Sequence, residues 1–480
     1  MVQKKKTNYP IDFVSMFREY DIRGRVNPTE LNEKSVYKIV RAYAEYIKKI
    51  KITKCVLGYD NRDCSPAFCE SAKKALLDAG VDVYYIGLSL SPVVYWAQYH
   101  FKAKGCVMIT ASHNPNGWSG FKLGCGYSKT LCTDEINTIF NSLDEKFSAP
   151  VEKGKLVEKN VRDLYINDCV SRIKMGKYKP RVLIETANGG TGLFAYEIFQ
   201  KLGCTTFLLN ADPDITYPRY FPNPSNMQAR QKMTELVNHP YVNADLAIFF
   251  DGDGDRIGVV DENGKNVWSD ILLAILSIPT LKQKKGASIV FDVKCSRTLI
   301  ETIRKFGGNP VMCSTGHSYV KNKLIEVDAE IAGERSGHIF IGGENYYGFD
   351  DALFTALKLI EFLSNSGKKL GEIVKTLPCY CTSPEIQIPC PDATKYELVK
   401  KLVAKFKELY PGKVIDINGA RVELDNGWGL VRASSNLPEL GLIFEGKTEQ
   451  DLLEIRAIFK KVLGEFKELP TDWKNDFVKI

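Results

Sequence analysis

The sequence predicts an α/β fold in which three similar α/β domains are followed by a smaller α+β domain. The chain has 480 residues, which corresponds to three or four domains at about 150 residues each. A strand–helix–strand pattern recurs three times within the first 320 residues. Short apolar strands that alternate with helices are typical of layered α/β structure. The pattern changes from about residue 381 onward.

Each repeated unit consists of an apolar strand, a helix that glycine follows, and a second strand. The first strands cover residues 54–58, 181–184 and 288–291, the helices end at residues 79, 202 and 306, and the second strands cover residues 81–86, 205–209 and 310–312. Glycine is expected at this point because the residue after a helix commonly adopts a left-handed conformation. The regular spacing favours three related domains over chance recurrence of a common motif.

The C-terminal part of the chain has a different order of elements. It begins with a strand at residues 385–388 and an amphipathic helix at residues 395–409, and two further strands and a helix at residues 450–463 follow. This order predicts an α+β domain. The predicted domains therefore cover residues 1–157, 158–262, 263–377 and 378–480.

Composition and charge exclude several classes of protein. Hydrophobic residues make up 44% and charged residues 26% of the chain, which excludes a disordered chain, a collagen-like repeat and a coiled coil. The net charge is +7, from 65 Lys and Arg against 58 Asp and Glu. This excess is small and dispersed, whereas nucleic-acid-binding domains are usually more basic. We therefore expect a small anionic partner and no nucleic acid.

The sequence predicts a cytoplasmic protein with reduced thiols. Thirteen cysteines are scattered along a chain that is too large to depend on disulfides. No apolar segment follows the basic N-terminal residues, as a secretory signal would require. The longest apolar stretch, at residues 270–276, is far too short to span a membrane.

Four polar loops follow apolar runs, which is where ligands bind in open α/β sheets. The first, the serine loop (residues 110–122), contains Ser112, His113, a strong turn signal and Lys122. Adjacent side chains in extended backbone point to opposite faces, so we expect no simple Ser112–His113 dyad. Ser112 is expected to lie exposed on the turn, with Lys122 as a cation or proton carrier. The alternative is a purely structural turn between a strand and the next element.

The acidic loop (residues 251–256) carries Asp251, Asp253 and Asp255 with glycine between them. Carboxylates at alternate positions bring hard oxygen ligands onto one small cation, which indicates Mg²⁺ or Ca²⁺. In an EF-hand these residues would occupy positions one, three and five, with Glu262 at position twelve. Position six would require glycine, but Arg256 stands there, and the preceding run is typical of a strand. We therefore reject an EF-hand; a solvated acidic turn is the remaining alternative.

Two further loops offer hydrogen bonds and positive charge. The histidine loop (residues 333–338) contains Glu334, Ser336 and His338, with His317 upstream, and such groups suit a polyhydroxylated ligand. The arginine loop (residues 432–438) starts with Arg432, and a guanidinium with hydroxyls in a turn is typical of a phosphate site. Each of these two motifs is equally compatible with a structural loop. Together the four loops indicate phosphoryl transfer, which needs mainly positioning and charge neutralisation.

The motifs TASHNP, DGDGDR, GERSGH and RASSNLP, in this order, resemble the α-D-phosphohexomutase family, in its bacterial phosphomannomutase/phosphoglucomutase type. The resemblance extends from FREYDIRG at residues 17–24 to the last helix. It implies three related α/β domains with mixed sheets and a C-terminal α+β domain around a central cleft. It also implies interconversion of hexose 6-phosphate and hexose 1-phosphate, with mannose or glucose as the sugar, through a phosphoserine and a hexose 1,6-bisphosphate. One Mg²⁺ per subunit, the bisphosphate as activator, and a monomer or dimer are expected.

The resemblance also assigns expected roles to individual residues. Ser112 resembles the phosphoserine, and Lys122, Arg256, His317 and Arg23 resemble the groups around the transferred phosphate; which of Lys122, Arg23 and His317 acts as general acid or base is left open. The expected metal ligands are Ser112, Asp251, Asp253 and Asp255. The expected substrate-binding residues are Tyr20, Lys294, Glu334, Ser336, His338, Arg432, Ser434 and Asn436.

Three alternative functions fit parts of the same sequence. A phosphoglucosamine mutase shares most of these motifs, and Arg335 in the histidine loop leaves the choice of sugar open. A magnesium phosphatase of the HAD type would use Asp251 as its nucleophile, but it gives the serine and arginine loops no role. A calcium-binding or sugar-binding module without catalysis would use only the acidic or the histidine loop.

Overall fold

The computed structural model describes residues 11–147, 152–224, 226–435 and 437–470. Its strands form four sheets that follow one another along the chain, and we number the four domains after these sheets. The first three domains contain parallel and antiparallel strands, and the fourth sheet is antiparallel throughout its described pairs. The predicted fold class is confirmed.

Domain 1 is built on a seven-stranded sheet with the order β1-β5-β4-β2-β3-β7, and β6 pairs with β5. Its elements are α1 (Phe13–Met16), β1 (Ile22–Arg25), α2 (Glu33–Lys49), β2 (Lys54–Tyr59), α3 (Ser65–Asp78), β3 (Asp82–Leu88), α4 (Ser91–Phe101), β4 (Gly105–Ile109), β5 (Trp118–Gly126), β6 (Lys129–Thr130), α5 (Thr133–Ser142) and β7 (Leu156–Glu158).

Domains 2 and 3 have smaller sheets, with the orders β12-β11-β10-β8-β9 and β14-β13-β15-β16. Domain 2 contains α6 (Arg162–Ser171), β8 (Arg181–Glu185), α7 (Gly192–Lys201), β9 (Thr205–Leu209), α8 (Met227–Val237), β10 (Leu246–Phe250), β11 (Ile257–Asp261) and β12 (Asn266–Val267). Domain 3 contains α9 (Ser269–Gln283), β13 (Ser288–Asp292), α10 (Arg297–Lys305), β14 (Asn309–Cys313), α11 (His317–Glu326), β15 (Ile331–Gly333), β16 (Ile339–Ile341), α12 (Ala352–Ser366) and α13 (Leu370–Val374).

The three α/β domains share one topology. In each sheet a central strand (β2, β8 or β13) pairs parallel with a strand on either side. One of these two neighbours (β4, β10 or β15) also pairs antiparallel with the strand that follows it in sequence (β5, β11 or β16). The connection to that antiparallel strand is β4–β5 in domain 1, β10–β11 in domain 2 and β15–β16 in domain 3. These three hairpins carry Ser112, the acidic loop and the histidine loop, so the repeat places the same hairpin of each domain at the cleft.

Domain 4 carries the fourth loop on a hairpin of its own. Its elements are β17 (Cys381–Thr382), β18 (Ile386–Pro389), α14 (Lys395–Leu409), β19 (Val414–Ile415), β20 (Ala420–Leu424), β21 (Gly427–Ala433), β22 (Glu439–Gly446) and α15 (Glu449–Leu463). The sheet order is β17-β22-β21-β20-β19, with β18 also paired to β22. The arginine loop connects β21 to β22, and helix α14 has the bounds that the sequence predicts.

Apolar packing divides the molecule into a shared core and a separate one. A single buried cluster extends through domains 1, 2 and 3 and includes Val94, Ile184, Ile248, Leu272 and Phe354. Domain 1 has a second cluster on the other face of its sheet. Domain 4 instead packs its own core, in which Phe406, Phe444 and Phe459 stack against one another. Domain 4 is therefore the unit least tied to the rest by apolar burial.

Domain 4 is attached to domain 3 by a fully buried arginine. The Arg421 guanidinium lies 3.7 Å over the Trp428 ring. Its Nη1 donates to the carbonyls of Val293 and Cys295, both at 2.7 Å, and its Nε donates to Glu423 at 2.7 Å. Because Val293 and Cys295 flank Lys294, this contact places a proposed substrate-binding lysine relative to domain 4.

All thirteen cysteines are free thiols, and most are buried. Among the described residues, none of the helices has the length and apolar character needed to cross a bilayer.

Replacing Arg421 with alanine should loosen domain 4 selectively. The change leaves the two buried carbonyls of Val293 and Cys295 without their donor, which costs about 3 kcal/mol. We expect calorimetry to show a separate, earlier unfolding transition for domain 4. Arg421→Lys should recover only part of the loss, because one ammonium cannot reproduce the planar guanidinium. Arg304→Ala, at an exposed arginine, is the control, and equal unfolding profiles for the two alanine variants would contradict the assignment.

Candidate active site

The serine loop places Ser112 in an unusual backbone conformation. Ser112 has a φ of +52° and is 2% exposed, and a positive φ is uncommon for residues other than glycine. Its amide N–H donates to Thr110 Oγ1 at 2.8 Å. The expectation that Ser112 is exposed is therefore wrong, because the loop folds inward against the acidic loop.

Arg62 holds the serine loop in this conformation. It is 2% exposed and pairs with Asp60 at 3.1 Å. Its two terminal nitrogens donate, at 2.6–3.2 Å, to the carbonyl oxygens of Ser112, Asn114, Pro115 and Trp118. One guanidinium thus satisfies four carbonyls that the turn would otherwise leave unpaired, and it fixes the path of the chain around Ser112.

The Ser112 hydroxyl lies between His113 and Asp251. Its Oγ donates to Asp251 Oδ2 at 2.8 Å and lies 3.1 Å from His113 Nδ1. The expectation that Ser112 and His113 point apart is wrong, because it assumed extended backbone, and the left-handed conformation of Ser112 turns the two side chains together. Burial, and then the charges of Arg256 and Arg23, hold the pKa of His113 well below its usual value.

The acidic loop is a buried cluster of carboxylates that Lys122 of domain 1 neutralises. Asp251, Asp253 and Asp255 are all 0% exposed. Lys122 Nζ donates to Asp253 Oδ2 at 2.6 Å and also to Asp255 Oδ2. Burial alone would lower the pKa of Lys122, but these two carboxylates raise it above its usual value. The amine therefore remains charged and carries no proton away in this arrangement.

The donor set of the acidic loop fits a small hard cation. Asp251 Oδ1 accepts the backbone N–H groups of Asp255 and Arg256, at 3.0 and 3.1 Å, which closes the loop. The three carboxylates have ligand atoms within 4.8 Å of one another. Within the described part of the chain, Oδ1 of Asp253 and Oδ1 of Asp255 have no hydrogen-bond partner although they are buried. Buried carboxylate oxygens without a donor are what Mg²⁺ or Ca²⁺ would satisfy.

The EF-hand alternative is excluded by the fold. The acidic loop follows strand β10 and leads into strand β11, whereas an EF-hand loop connects two helices. The acidic loop packs instead against Gly189 and Gly190 of domain 2. The Gly190 N–H donates to the Gly252 carbonyl at 3.0 Å, and a Cβ on Gly189 would lie 3.0 Å from Gly252 Cα. A side chain at residue 189 would therefore crowd the backbone of the acidic loop.

His338 of the histidine loop is held between Arg256 and Asp350. Arg256 Nε donates to His338 Nε2 at 2.8 Å, and His338 Nδ1 lies 3.0 Å from Asp350 Oδ2. Because arginine only donates, the ring proton belongs on Nδ1, facing Asp350. Asp255, His338 and Asp350 also have the spacing of a metal site. A protonated Nδ1 is no metal ligand, so we interpret the contact of His338 with Asp350 as electrostatic and not as part of a metal site.

Asp350 is in turn paired with a fully buried lysine. Lys321 Nζ lies 2.8 Å from Asp350 Oδ1, and both side chains are 0% exposed. Burial alone would raise the pKa of Asp350, but Lys321 and then His338 hold it well below its usual value. Lys321 also lies 4.1 Å over the Tyr95 ring of domain 1. The pair fixes an ionised carboxylate behind His338.

His317 of domain 3 and Tyr20 of domain 1 contact each other where these two domains meet. Their rings meet edge to face at 5.2 Å. Burial, and then the charge of Lys321, lower the pKa of His317 well below its usual value, so its imidazole is neutral. Both of its ring nitrogens lack a hydrogen-bond partner among the described residues. Burial, Asp21 and Glu334 raise the pKa of Tyr20 to about 12, and its hydroxyl lies 3.4 Å from Ser435 of domain 4.

The other expected residues also lie at the junctions between domains. Arg23 binds Asp21 at 2.6 Å and Asn114 of the serine loop at 2.8 Å. Glu334 Oε1 accepts the Gly316 N–H at 2.7 Å, and burial raises its pKa. Ser336 is half-buried on the same loop. Arg335, in contrast, donates to Thr382 and Ser383 and lies over the Trp268 ring. Its side chain therefore binds the start of domain 4.

The arginine loop faces the domain 3 cation Lys294. Arg432 Nε donates to Asn418 at 2.9 Å, and Ser434 Oγ accepts the Leu437 N–H at 3.2 Å in a tight turn. Between Lys294 and Arg432 lies the carboxylate of Glu385, 3.6 and 3.8 Å from them. Asn436, the remaining expected residue, lies outside the described residues.

Comparison with known proteins identifies the family. Family profiles for phosphoglucomutase/phosphomannomutase match four segments: alpha/beta/alpha domain I at residues 14–149, domain II at 163–264, domain III at 268–380 and the C-terminal domain at 385–462. The chain belongs to the phosphoglucomutase/phosphomannomutase family. The family resemblance that the motifs indicate is confirmed.

Individual relatives and a solved structure cover nearly the whole chain. A phosphomannomutase/phosphoglucomutase of Pseudomonas syringae is 35% identical over 458 residues, which is 95% of this chain and 96% of the relative. A phosphoglucomutase of Neisseria meningitidis is 34% identical over 93% of this chain and 96% of its own length. The crystal structure of a phosphoglucomutase/phosphomannomutase family protein from Burkholderia thailandensis matches with a TM-score of 0.87 at 32% identity, covering 96% of this chain and all of that one.

Several residues of this family site escape sequence reasoning. The sequence points to the loops that carry Ser112, Asp251 and His338, but not to the groups behind them: Arg62, Ser91, Lys321, Asp350 and Glu385. Ser91, for example, donates to Asp253 Oδ2 at 2.6 Å. Arg62, Ser91 and Asp350 are polar residues shortly after apolar runs, which is too common a pattern to single them out, whereas Lys321 lies inside helix α11 and Glu385 precedes strand β18.

Replacing Arg62 should free the serine loop without unfolding domain 1. Arg62→Lys can satisfy only part of the four carbonyls, so at least two hydrogen bonds of about 1 kcal/mol each are lost. Amide hydrogen exchange of residues 112–118 should accelerate by about tenfold or more, as followed by mass spectrometry. Arg304→Lys is the control. Unchanged exchange in the loop of the Arg62 variant would show that other contacts hold it.

Proposed function

We propose that the protein is a phosphohexomutase that interconverts hexose 6-phosphate and hexose 1-phosphate, with mannose or glucose as the sugar. The observation that carries this proposal is the contact of the Ser112 hydroxyl with a buried carboxylate cluster from another domain. A hydroxyl placed against a cation site, with cations and a neutral imidazole around it, suits phosphoryl transfer to and from serine. The names of the family relatives support the same reaction class.

Asp251, Asp253, Asp255 and an oxygen on Ser112 would hold one Mg²⁺ per subunit. When bound, Mg²⁺ would neutralise charge on the phosphoryl oxygens at Ser112. The unpartnered oxygens of Asp253 and Asp255 support this assignment. Asp251 caps its own loop with Oδ1 and accepts from Ser112 with Oδ2, so its position is fixed before any ligand arrives.

The transfer itself would involve Ser112 and the groups that surround it. The bond between Ser112 Oγ and phosphorus breaks while a hydroxyl oxygen of the hexose monophosphate bonds to phosphorus. The hydroxyl proton passes to a base, and Ser112 Oγ takes up a proton and becomes a hydroxyl again. The hexose 1,6-bisphosphate then turns in the cleft and returns its other phosphoryl group to Ser112. Lys122, Arg23 and Arg256 would offset the charge of the phosphoryl oxygens. His317, whose imidazole is neutral and whose ring nitrogens have no hydrogen-bond partner among the described residues, is the group available to accept the proton.

The remaining loops would bind the rest of the substrate. Glu334, Ser336 and His338 offer acceptors and donors to sugar hydroxyls, and Tyr20 and Lys294 line the same junction. Arg432, Ser434 and Asn436 would bind the phosphate that is not transferred. Because domain 4 has its own core, it can close over the substrate without disturbing the other three domains. We further propose the domain limits 1–157, 158–262, 263–377 and 378–480 and a cytoplasmic monomer or dimer.

Two rival functions would use only part of this site. A phosphatase with Asp251 as nucleophile needs an ionised, free carboxylate, but both oxygens of Asp251 are engaged. A calcium-binding or sugar-binding module leaves the Ser112 contact without a role. These observations favour the mutase.

Ser112→Ala should abolish mutase activity. Without the hydroxyl that carries the phosphoryl group, we expect turnover to fall about a thousandfold or more. A coupled assay with glucose 1-phosphate, mannose 1-phosphate and glucosamine 1-phosphate, with and without the matching bisphosphate, measures this and identifies the sugar. Intact-mass analysis should show a phosphate on Ser112 in the active wild-type protein. Phosphate trapped on Asp251 instead would decide for the phosphatase.

Mg²⁺ should stabilise the protein through the acidic loop. A ligand that binds only the folded state raises stability by about 2.7 kcal/mol at a concentration of one hundred times its Kd. We expect the unfolding midpoint to rise with Mg²⁺ and to return when EDTA is added, together with loss of activity. Asp253→Asn should remove the rise, whereas Asp416→Asn, at an exposed carboxylate, should retain it. A midpoint that responds to Ca²⁺ but not to Mg²⁺ would contradict the assignment.

A further inference from the structure

Glu385 is a carboxylate placed between two cations that the proposed function assigns to substrate. Its Oε2 lies 3.6 Å from Lys294 Nζ in domain 3, and its Oε1 lies 3.8 Å from Arg432 Nη1 in domain 4. The Glu385 side chain is 36% exposed, so the cleft can reach it. Each oxygen thus faces a different cation, and the two cations belong to different domains.

Each of the two cations has a further contact besides Glu385. Arg432 is held through Nε by Asn418 at 2.9 Å. Lys294 lies between the Val293 and Cys295 carbonyls that Arg421 binds, and its Nζ is 4.0 Å from Asp292. What Glu385 changes is the charge, because it reduces the sum over Lys294 and Arg432 from two positive charges to one.

The fold keeps space for this carboxylate. A Cβ on Gly441, in the neighbouring strand β22, would lie 2.6 Å from Glu385 Oε1, so the glycine allows Glu385 to reach Arg432. Burial alone would raise the pKa of Glu385, but Lys294 and then Arg432 and Arg335 hold it below its usual value. Glu385 is therefore an anion at neutral pH.

We propose that Glu385 weakens the hold of Lys294 and Arg432 on phosphate, so that the hexose 1,6-bisphosphate can leave the arginine loop between the two half-reactions. The proposal rests on the proposed function and concerns the same cleft. A phosphate that binds Arg432 must either displace Glu385 or bind beside its negative charge. Both arrangements weaken the binding of phosphate to Arg432. Binding that is equally strong in the ground state and the transition state does not accelerate catalysis, and slow release limits turnover.

The physical consequence distinguishes this role from a structural one. If Glu385 only held the two cations in place, its loss would loosen them and weaken substrate binding. If it competes with phosphate, its loss strengthens substrate binding and slows the release of bisphosphate and product. The two roles therefore move KM in opposite directions.

Glu385→Gln, which keeps the shape and removes the charge, provides the test. We expect KM for glucose 1-phosphate or mannose 1-phosphate to fall about three- to tenfold, because this is the change in affinity that one partly exposed charge interaction typically produces. We expect kcat to fall as well. A KM that is unchanged or raised overturns the proposal, and so does a kcat that does not fall. Glu454→Gln, at an exposed glutamate of domain 4, removes the same charge elsewhere and should leave both constants unchanged.

A binding measurement separates this proposal from the proposed function. Titration calorimetry with inorganic phosphate and with glucose 1,6-bisphosphate compares Ser112→Ala with the double variant Ser112→Ala/Glu385→Gln, neither of which carries phosphate on residue 112. We expect the double variant to bind both probes more tightly. Equal or weaker binding overturns the role of Glu385. Absence of mutase activity in the wild-type protein would instead overturn the proposed function, whatever the calorimetry shows.

Discussion

The Lys122 ammonium is the contact on which the rest of the cleft depends. Three carboxylates are crowded into one short buried segment of domain 2, and their mutual repulsion in a poorly solvated site is severe. Lys122 reaches them from strand β5 of domain 1 and binds two of the three. The acidic loop can therefore exist as a compact, charged structure only when domains 1 and 2 are docked, and docking brings Ser112 to Asp251 at the same time.

The cleft is built from four hairpin loops, one from each domain, and three of them come from the repeated α/β topology. In each α/β domain the chain leaves a parallel strand, makes a short loop and returns antiparallel beside it, and domain 4 offers a hairpin loop of its own. Hairpin loops have few neighbours within their own sheet, so their polar side chains are free to meet loops from other domains. The contacts between Ser112 and Asp251 and between Arg256 and His338 are of this kind. Each joins two domains through two loops.

Sequence reasoning predicts the parts of this structure that depend on periodicity and local chemistry. Apolar strands, glycine after helices and the bounds of helix α14 follow from such signals, and so do the four polar loops. The left-handed conformation of Ser112 does not, because it results from the four carbonyls that Arg62 binds across the loop. Lys321 lies in helix α11 and Asp350 lies beyond strand β16, and only the folded chain brings them together behind His338. Pairs of buried charges that are distant in the sequence produce no periodic pattern, so sequence reasoning cannot predict them.

The separate core of domain 4 has a consequence for how this family can diversify. Phosphoryl chemistry is built on domains that share one continuous core, so a substitution there disturbs packing in three domains together. The arginine loop and Glu385 belong to a domain whose interior is independent and which meets domain 3 through a small apolar contact, the buried Arg421 guanidinium and further hydrogen bonds and ion pairs. Substitutions in the interior of domain 4 can therefore accumulate with little effect on the packing around Ser112 and the acidic loop. Such a division lets selection alter the phosphate contacts of domain 4 while the serine, acidic and histidine loops are kept.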